Sequence, residues 1–115
     1  MSRYAPRMAQ ERMLKFVGTT QSFPEKREAT LRAEDFAEIA NRYAPEKAAE
    51  QASRCSQCGV PYCSVHCPLG NHIPDWLRLT AEGRLREAYE LSNLTSSMPA
   101  LCGRICAQDR LCEGN

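Results

Sequence analysis

The sequence lacks an apolar run of about eighteen residues, and this absence argues against a transmembrane helix. Its basic N-terminal residues, such as Arg3 and Arg7, are not followed by the apolar stretch and small-residue cleavage site of a secretory signal. A transit peptide is an alternative, although Glu11 interrupts the basic residues. With no export signal, we expect a cytoplasmic protein in a reducing compartment, where a disulfide scaffold is not expected.

Nucleotide-binding and catalytic patterns are also missing. The six glycines form neither G-x-G-x-x-G nor a phosphate-binding P-loop, so we expect no site for FAD, NADPH or another nucleotide in this chain. The spacing supports no Ser–His–Asp set and no pair of carboxylates, so no catalytic residue is predicted. The net charge of +1 argues against a nucleic acid or an anionic membrane as partner.

The sequence does contain seven cysteines, all within residues 55–115. This half also has five arginines but no lysine, one tryptophan, and only a few leucine and isoleucine residues. A segment of about sixty residues buries only about 60% of the surface that its unfolded chain exposes. We therefore expect thiolate–metal bonds to supply stability that the apolar core cannot.

The hydrophobic pattern divides the chain into an extended N-terminal segment, residues 1–30, and a helical domain, residues 31–115. The first segment shows no sustained period, and residues 17–25 are predicted as loop or strand. Because it lacks a core-facing period, this segment is a candidate for docking to a partner subunit.

The helical domain is predicted to be all-α, with two cysteine-rich cluster-binding loops and little or no sheet. The first helix is predicted from Leu31, and one face of it contains Phe36, Ile39, Ala40 and Tyr43. Later helices are predicted to begin near Pro45, Pro74, Arg84 and Pro99. Residues 55–71 contain two glycines and two prolines and are predicted as a loop.

The cysteines form two motifs. The first is Cys55-x2-Cys58-x4-Cys63-x3-Cys67-Pro68, and the second is Cys102-x3-Cys106-x5-Cys112. Three cysteines at short spacing let one loop wrap an iron–sulfur cluster, because each thiolate reaches a different iron. Bacterial ferredoxins use C-x2-C-x2-C-x3-C-P, in which the cysteine before proline ligates the other cluster.

The same logic sorts the cysteines of this chain into two sets. The first cluster would be bound by Cys55, Cys58 and Cys63. The second would be bound by Cys67, which Pro68 turns away from the first, together with Cys106 and Cys112. Cys102 need not be a ligand at all, and the spacing leaves its role open. A cluster usually takes four ligands, so three in each set predict a domain truncated at its C-terminus, before its last ligands.

Other uses of the cysteines stay open. A structural zinc site also takes paired cysteines, although zinc motifs favour two separated CxxC pairs over four cysteines within thirteen residues. Disulfides or free structural cysteines are a further alternative. His66 lies inside the first motif and is a candidate ligand, but it is more simply a hydrogen-bond donor or an exposed side chain.

Resemblance to a known family is carried by three stretches of the sequence: RCSQCGVPYCSVHCPLGNHIPDW, EGRLREAYELS and CGRICAQDRLCEGN. The upstream stretches RMLKFVGT and DFAEI fit as well. Together they resemble the N-terminal domain of the small (beta) subunit of NADPH-dependent glutamate synthase. More distantly, the chain is similar to the N-terminal domain of dihydropyrimidine dehydrogenase.

The resemblance implies an all-helical domain with two 4Fe–4S clusters. It implies that the first cluster is ligated by Cys55, Cys58 and Cys63, with a fourth cysteine immediately after Asn115. It implies that the second is ligated by Cys67, Cys106 and Cys112, with one further ligand later in the chain. Cys102 matches a family cysteine that is not a ligand.

The resemblance also implies a role in electron transfer. In the family, NADPH reduces FAD in domains that follow this one, and the clusters carry single electrons to the large (alpha) subunit. FMN there reduces the imine formed from 2-oxoglutarate and ammonia released from glutamine, which gives glutamate. The fragment alone is not expected to be catalytic. The alternatives are the same module in another flavoenzyme, such as a pyrimidine reductase, and a zinc-stabilised interaction domain.

Overall fold

The structure is a computed structural model that describes residues 13–114, and within them the fold is all-α, as the sequence predicts. The helices are α1 (Lys15–Gly18), α2 (Ala29–Arg32), α3 (Pro45–Ala52), α4 (Tyr62–His66), α5 (Ile73–Ala81), α6 (Leu85–Ser92) and α7 (Pro99–Ile105). A short 3-10 helix, Gln108–Arg110, follows α7. No helix in this part of the chain is long and apolar enough to cross a membrane.

The starts of the four longest helices are confirmed. Pro45, Pro74 and Pro99 each lie in the first turn of their helix, where the missing N–H would have had no helical partner. Gly83 separates α5 from α6 with a φ of 78°, in the left-handed region that favours glycine. Its N–H donates to the Thr80 carbonyl at 3.1 Å, which closes the end of α5.

The helix predicted from Leu31, with Phe36, Ile39, Ala40 and Tyr43 on one face, is wrong. α2 is a single turn, and residues 33–44 contain no helix. Phe36 is fully exposed and Ile39 about half exposed, so these side chains share no buried face. Ala40 instead forms an isolated antiparallel bridge with Lys26.

The Arg27 side chain accounts for this departure. Its guanidinium donates to both carboxylate oxygens of Asp35, at 3.1 and 2.7 Å, and to the Glu38 carbonyl at 3.0 Å. Asp35 also accepts the Ala37 N–H at 2.9 Å, a local turn that competes with helix formation. The backbone N–H of Arg27 donates to the Ile39 carbonyl at 2.8 Å, so the segment closes on itself as a loop.

The prediction of residues 55–71 as loop is wrong for one turn, because Tyr62–His66 is helical. The turn follows Pro61, whose carbonyl accepts the N–H groups of Ser64 and Val65 at 3.0 and 3.1 Å. Helix α4 has only 5 residues, too few to show a helical period, so the sequence does not indicate it.

The N-terminal segment is only partly covered, since residues 1–12 lie outside the described residues. Residues 19–22 run along the end of α3. Arg54 Nε donates to the Thr19 carbonyl at 2.8 Å, and Gln51 bonds both the Thr20 carbonyl and the Ser22 N–H, at 3.1 and 3.0 Å. The segment predicted as a docking element thus packs against its own domain here, and its docking role stays a prediction.

The core lies where α5 packs against α3 and α6. Within the described residues its buried apolar side chains are Ala52, Leu79 and Ala88. Asn71 reinforces the same region, because its amide donates to the Ser92 carbonyl at 2.9 Å and accepts the Trp76 indole N–H at 2.8 Å. A core this small makes the single large buried side chain important.

We expect Leu79→Ala to lower the free energy of unfolding by about 2–5 kcal/mol, because Leu79 is 4% exposed and its loss leaves a cavity between helices. Leu94 is 68% exposed, so Leu94→Ala is the matched control and should change the value by less than about 0.5 kcal/mol. Urea unfolding followed by circular dichroism measures both. Equal effects of the two substitutions would contradict the assigned core.

Candidate metal centre

The first cysteine motif is positioned by two helices. The end of α3 delivers Cys55, whose N–H donates to the Ala52 carbonyl at 3.2 Å. Cys63 lies within α4, and Cys67 caps the end of that helix, with its N–H donating to the Cys63 carbonyl at 3.1 Å. Cys67 has extended backbone, φ −70° and ψ 121°, so the helix ends at the position before Pro68.

The second motif follows the same arrangement at α7. Cys106 is the extended residue that ends this helix, and Cys112 comes just after the 3-10 turn. Burial raises the pKa of the Cys112 thiol, and the charges of Glu113, Cys106 and Cys67 raise it further. Cys67 and Cys106 therefore lie close enough to Cys112 for their charges to act on it, and the fold brings cysteines of both motifs together.

A cleft of about 730 Å³ opens beside this cluster of thiols. Cys55, Cys63 and Cys112 line it together with apolar side chains that include Phe16 and Trp76. Cys112 was sorted into the second set, yet it shares this cleft with two cysteines of the first. The two expected sites therefore adjoin each other.

Cys58 lies apart from this cleft. It is exposed, whereas the other six cysteines are partly buried, and it lines a separate cavity of about 290 Å³ with Gln57 and His72. The structure therefore brings Cys55 and Cys63 to a common cleft and places Cys58 at an outer edge of the same loop.

Cys102 and His66 have other partners. The Cys102 sulfur lies 3.4 Å from the Ser96 hydroxyl, and it lines none of the cavities described here. The Nδ1 atom of His66 lies 2.9 Å from the Tyr62 carbonyl, which can only accept a hydrogen bond. His66 thus acts through this nitrogen as a donor within α4.

Gln57 is a residue of the site that the sequence analysis missed. Its side-chain nitrogen donates to the Cys55 sulfur at 3.2 Å and to the Pro74 carbonyl at 2.8 Å. Nothing in the sequence signals this role, because a glutamine between two cysteines resembles any polar loop residue. Phe16 was missed for a similar reason, since its segment shows no period that would point it at the cleft.

Arg104 lies two residues before Cys106, and its side chain pairs with a carboxylate. Its guanidinium donates to both carboxylate oxygens of Glu38, one of them at 2.7 Å. This pair lowers the pKa of Glu38 to about 2. The bond joins the loop closed by Arg27 to the helix that leads into Cys106.

The thiols present fit an iron–sulfur cluster by their chemistry. All seven cysteines are free, and cysteine thiolates are the usual ligands of such clusters. In residues 13–114, no three or more cysteine, histidine, aspartate or glutamate side chains meet at the spacing of a single metal ion. A cluster spreads its ligands over several irons, so its thiolates surround a volume instead of one point.

Comparison with known proteins identifies the class. Residues 32–115 match the family model described as dihydropyrimidine dehydrogenase domain II, 4Fe-4S cluster. Since the match covers most of the chain, the protein belongs to this family of iron–sulfur domains.

Three relatives show which kind of subunit the chain resembles. Over 108 residues the chain is 65% identical to the small chain of NADPH glutamate synthase from Azospirillum brasilense, covering 94% of this chain and 22% of the relative. The corresponding chain of Halomonas elongata is 53% identical over 100 residues, which cover 87% of this chain and 21% of the relative. The small chain of Escherichia coli K12 is 44% identical over 105 residues, which cover 91% of this chain and 22% of the relative. The resemblance to this small chain is confirmed, and the sequence spans about a fifth of the length of these relatives.

We expect Cys102→Ser to leave the iron content of the purified protein unchanged, because Cys102 faces Ser96 and lines neither cysteine cleft. Cys58→Ser removes a cysteine of the first motif and should lower the iron content. Colorimetric iron analysis after anaerobic purification compares the two. An equal loss of iron in both variants would overturn the sorting of the cysteines.

Proposed function

We propose that this chain is the electron-transfer domain of a glutamate synthase small subunit and that it holds two 4Fe–4S clusters. The ligands of the first are Cys55, Cys58 and Cys63. Those of the second are Cys67, Cys106 and Cys112. The observation that carries the proposal is the cleft that Cys55, Cys63 and Cys112 line together, because it joins two motifs that lie far apart in the chain.

The ligand count supports further ligands outside these residues. Four are usual for each cluster, and each set supplies three. We expect a cysteine directly after Asn115 to complete the first cluster and a later residue to complete the second. The relatives extend well beyond the matched region, since the chain covers about a fifth of their length.

When bound, such clusters supply one-electron transfer at a potential set by hydrogen bonds to the sulfurs and by solvent exposure. The protein residues hold and shield them. Cysteine thiolates supply the ligands, and apolar side chains such as Phe16, Trp76 and Leu77 line the shared cleft. The Asn71 amide fixes the Trp76 ring through its indole N–H.

In the complete protein we expect electrons from NADPH to pass through FAD in the downstream domains and to reach FMN of the large (alpha) subunit by way of this domain. The reaction served is glutamate synthesis from glutamine and 2-oxoglutarate in the cytoplasm. The identity to glutamate synthase small chains supports this proposal.

Docking to the large subunit is proposed for residues 1–30. Met13, Leu14, Val17 and Phe23 expose apolar side chains, although their backbone segment packs against α3. Exposed apolar side chains close together often mark protein interfaces. This supports a segment that is held by its own domain on one side and covered by a partner on the other.

A second candidate is the same module in another flavoenzyme. The family description names dihydropyrimidine dehydrogenase, and the chain is 47% identical over 91 residues to a putative oxidoreductase, UacF, of Escherichia coli K12. The higher identity to glutamate synthase small chains favours the first candidate. The identity of the domains that follow residue 115 in the natural protein would distinguish the two candidate functions.

The test uses the complete natural small chain assembled with its large subunit. Cys106→Ser should abolish NADPH-dependent glutamate formation while NADPH still reduces an artificial dye that takes electrons from FAD. Cys102→Ser, a substitution in the same helix region, should keep both activities. If Cys106→Ser formed glutamate as fast as Cys102→Ser, electron transfer through this domain would be refuted.

A further inference from the structure

Gln57 adopts a backbone conformation that glutamine rarely takes. Its φ is 54°, and among the described residues it is the one non-glycine residue with positive φ. The left-handed region is unfavourable for residues with a Cβ, and glycine is the usual occupant. A strained residue within a cysteine loop suggests that its side chain has a task that glycine could not perform.

The side chain of Gln57 makes two hydrogen bonds through one nitrogen. Nε2 donates to the Pro74 carbonyl at 2.8 Å and to the Cys55 sulfur at 3.2 Å. The orientation of the amide is fixed by chemistry, since a carbonyl can only accept and the group facing it must be the nitrogen. The Cys55 sulfur therefore receives an N–H, and the first turn of α5 holds that N–H in place.

A hydrogen bond to a ligand sulfur changes the redox behaviour of a cluster. Reduction adds negative charge, and an N–H donor stabilises the more negative state, so it raises the reduction potential. Within residues 13–114, no side-chain amide bonds the sulfur of Cys67, Cys106 or Cys112. The Cys112 sulfur accepts the backbone N–H of Glu113 instead, so the two sets differ in the side-chain amide that Cys55 receives.

We propose that Gln57 is a positioning residue that hydrogen-bonds the Cys55 sulfur and raises the reduction potential of the first cluster. The proposal rests on the proposed function, because it requires a cluster at Cys55. It adds a residue that is not a ligand and that makes the first cluster easier to reduce than it would be without this bond.

The test is a redox titration of the complete natural protein, followed by electron paramagnetic resonance. The signal of the first cluster is identified as the one lost in Cys58→Ser. Gln57→Met has a similar length but no N–H, and it should shift the midpoint potential of this signal to a more negative value. The signal of the second cluster should not move, which makes it an internal control.

Gln57→Gly is the second variant, because glycine accepts the left-handed φ without strain and leaves the loop in its conformation. It should give a negative shift like that of Gln57→Met. Gln51→Met is the matched control. Gln51 lines the cleft beside Cys55, yet its hydrogen bonds go to the backbone of Thr20 and Ser22, so this substitution should leave the potential unchanged.

Three results would overturn the proposal while leaving the function intact. These are an unchanged midpoint in an iron-replete Gln57→Met protein, an equal shift in Gln51→Met, and loss of the first cluster in both Gln57 variants. The last would mean that Gln57 only holds the loop. A wild-type protein without a signal that depends on Cys58 would instead refute the proposed function itself.

Discussion

Cys112 lies where the two cysteine motifs meet, and the rest of the described structure brings chain segments to that point. The charges of Cys67 and Cys106 act on its thiol, and it shares a cleft with Cys55 and Cys63. Thiolate–metal bonds that join segments distant in sequence would restrict the unfolded chain, so bound clusters would stabilise the fold as well as serve redox chemistry. Such bonds would add stability to a domain in which few of the described side chains are buried.

Because the apolar core is small, polar contacts also hold the helices and loops together. Arg54 and Gln51 bind the N-terminal segment to α3, Asn71 links the cysteine loop to α5 and α6, and Arg104 ties α7 to the loop around Glu38. Each contact joins elements that carry or precede a cysteine. The exposed ion pairs contribute little stability individually, so their value lies in fixing the orientation of these elements.

Local sequence signals were sufficient to predict the class of fold and four of the helices, three of which begin at prolines. The Phe36 prediction failed because Arg27 captures Asp35 and the Glu38 carbonyl, an arrangement that depends on side-chain geometry and not on period. The role of Gln57 could not be predicted either. Its left-handed backbone and its bond to the Cys55 sulfur depend on where α5 places the Pro74 carbonyl.

The central claim is that these cysteines hold two 4Fe–4S clusters. Its most direct test is elemental analysis of the complete natural protein, purified without oxygen and with iron in excess, for iron, acid-labile sulfide and zinc. The account predicts about eight irons and about eight sulfides for each chain, with no stoichiometric zinc. A colourless protein with stoichiometric zinc and no sulfide would contradict it.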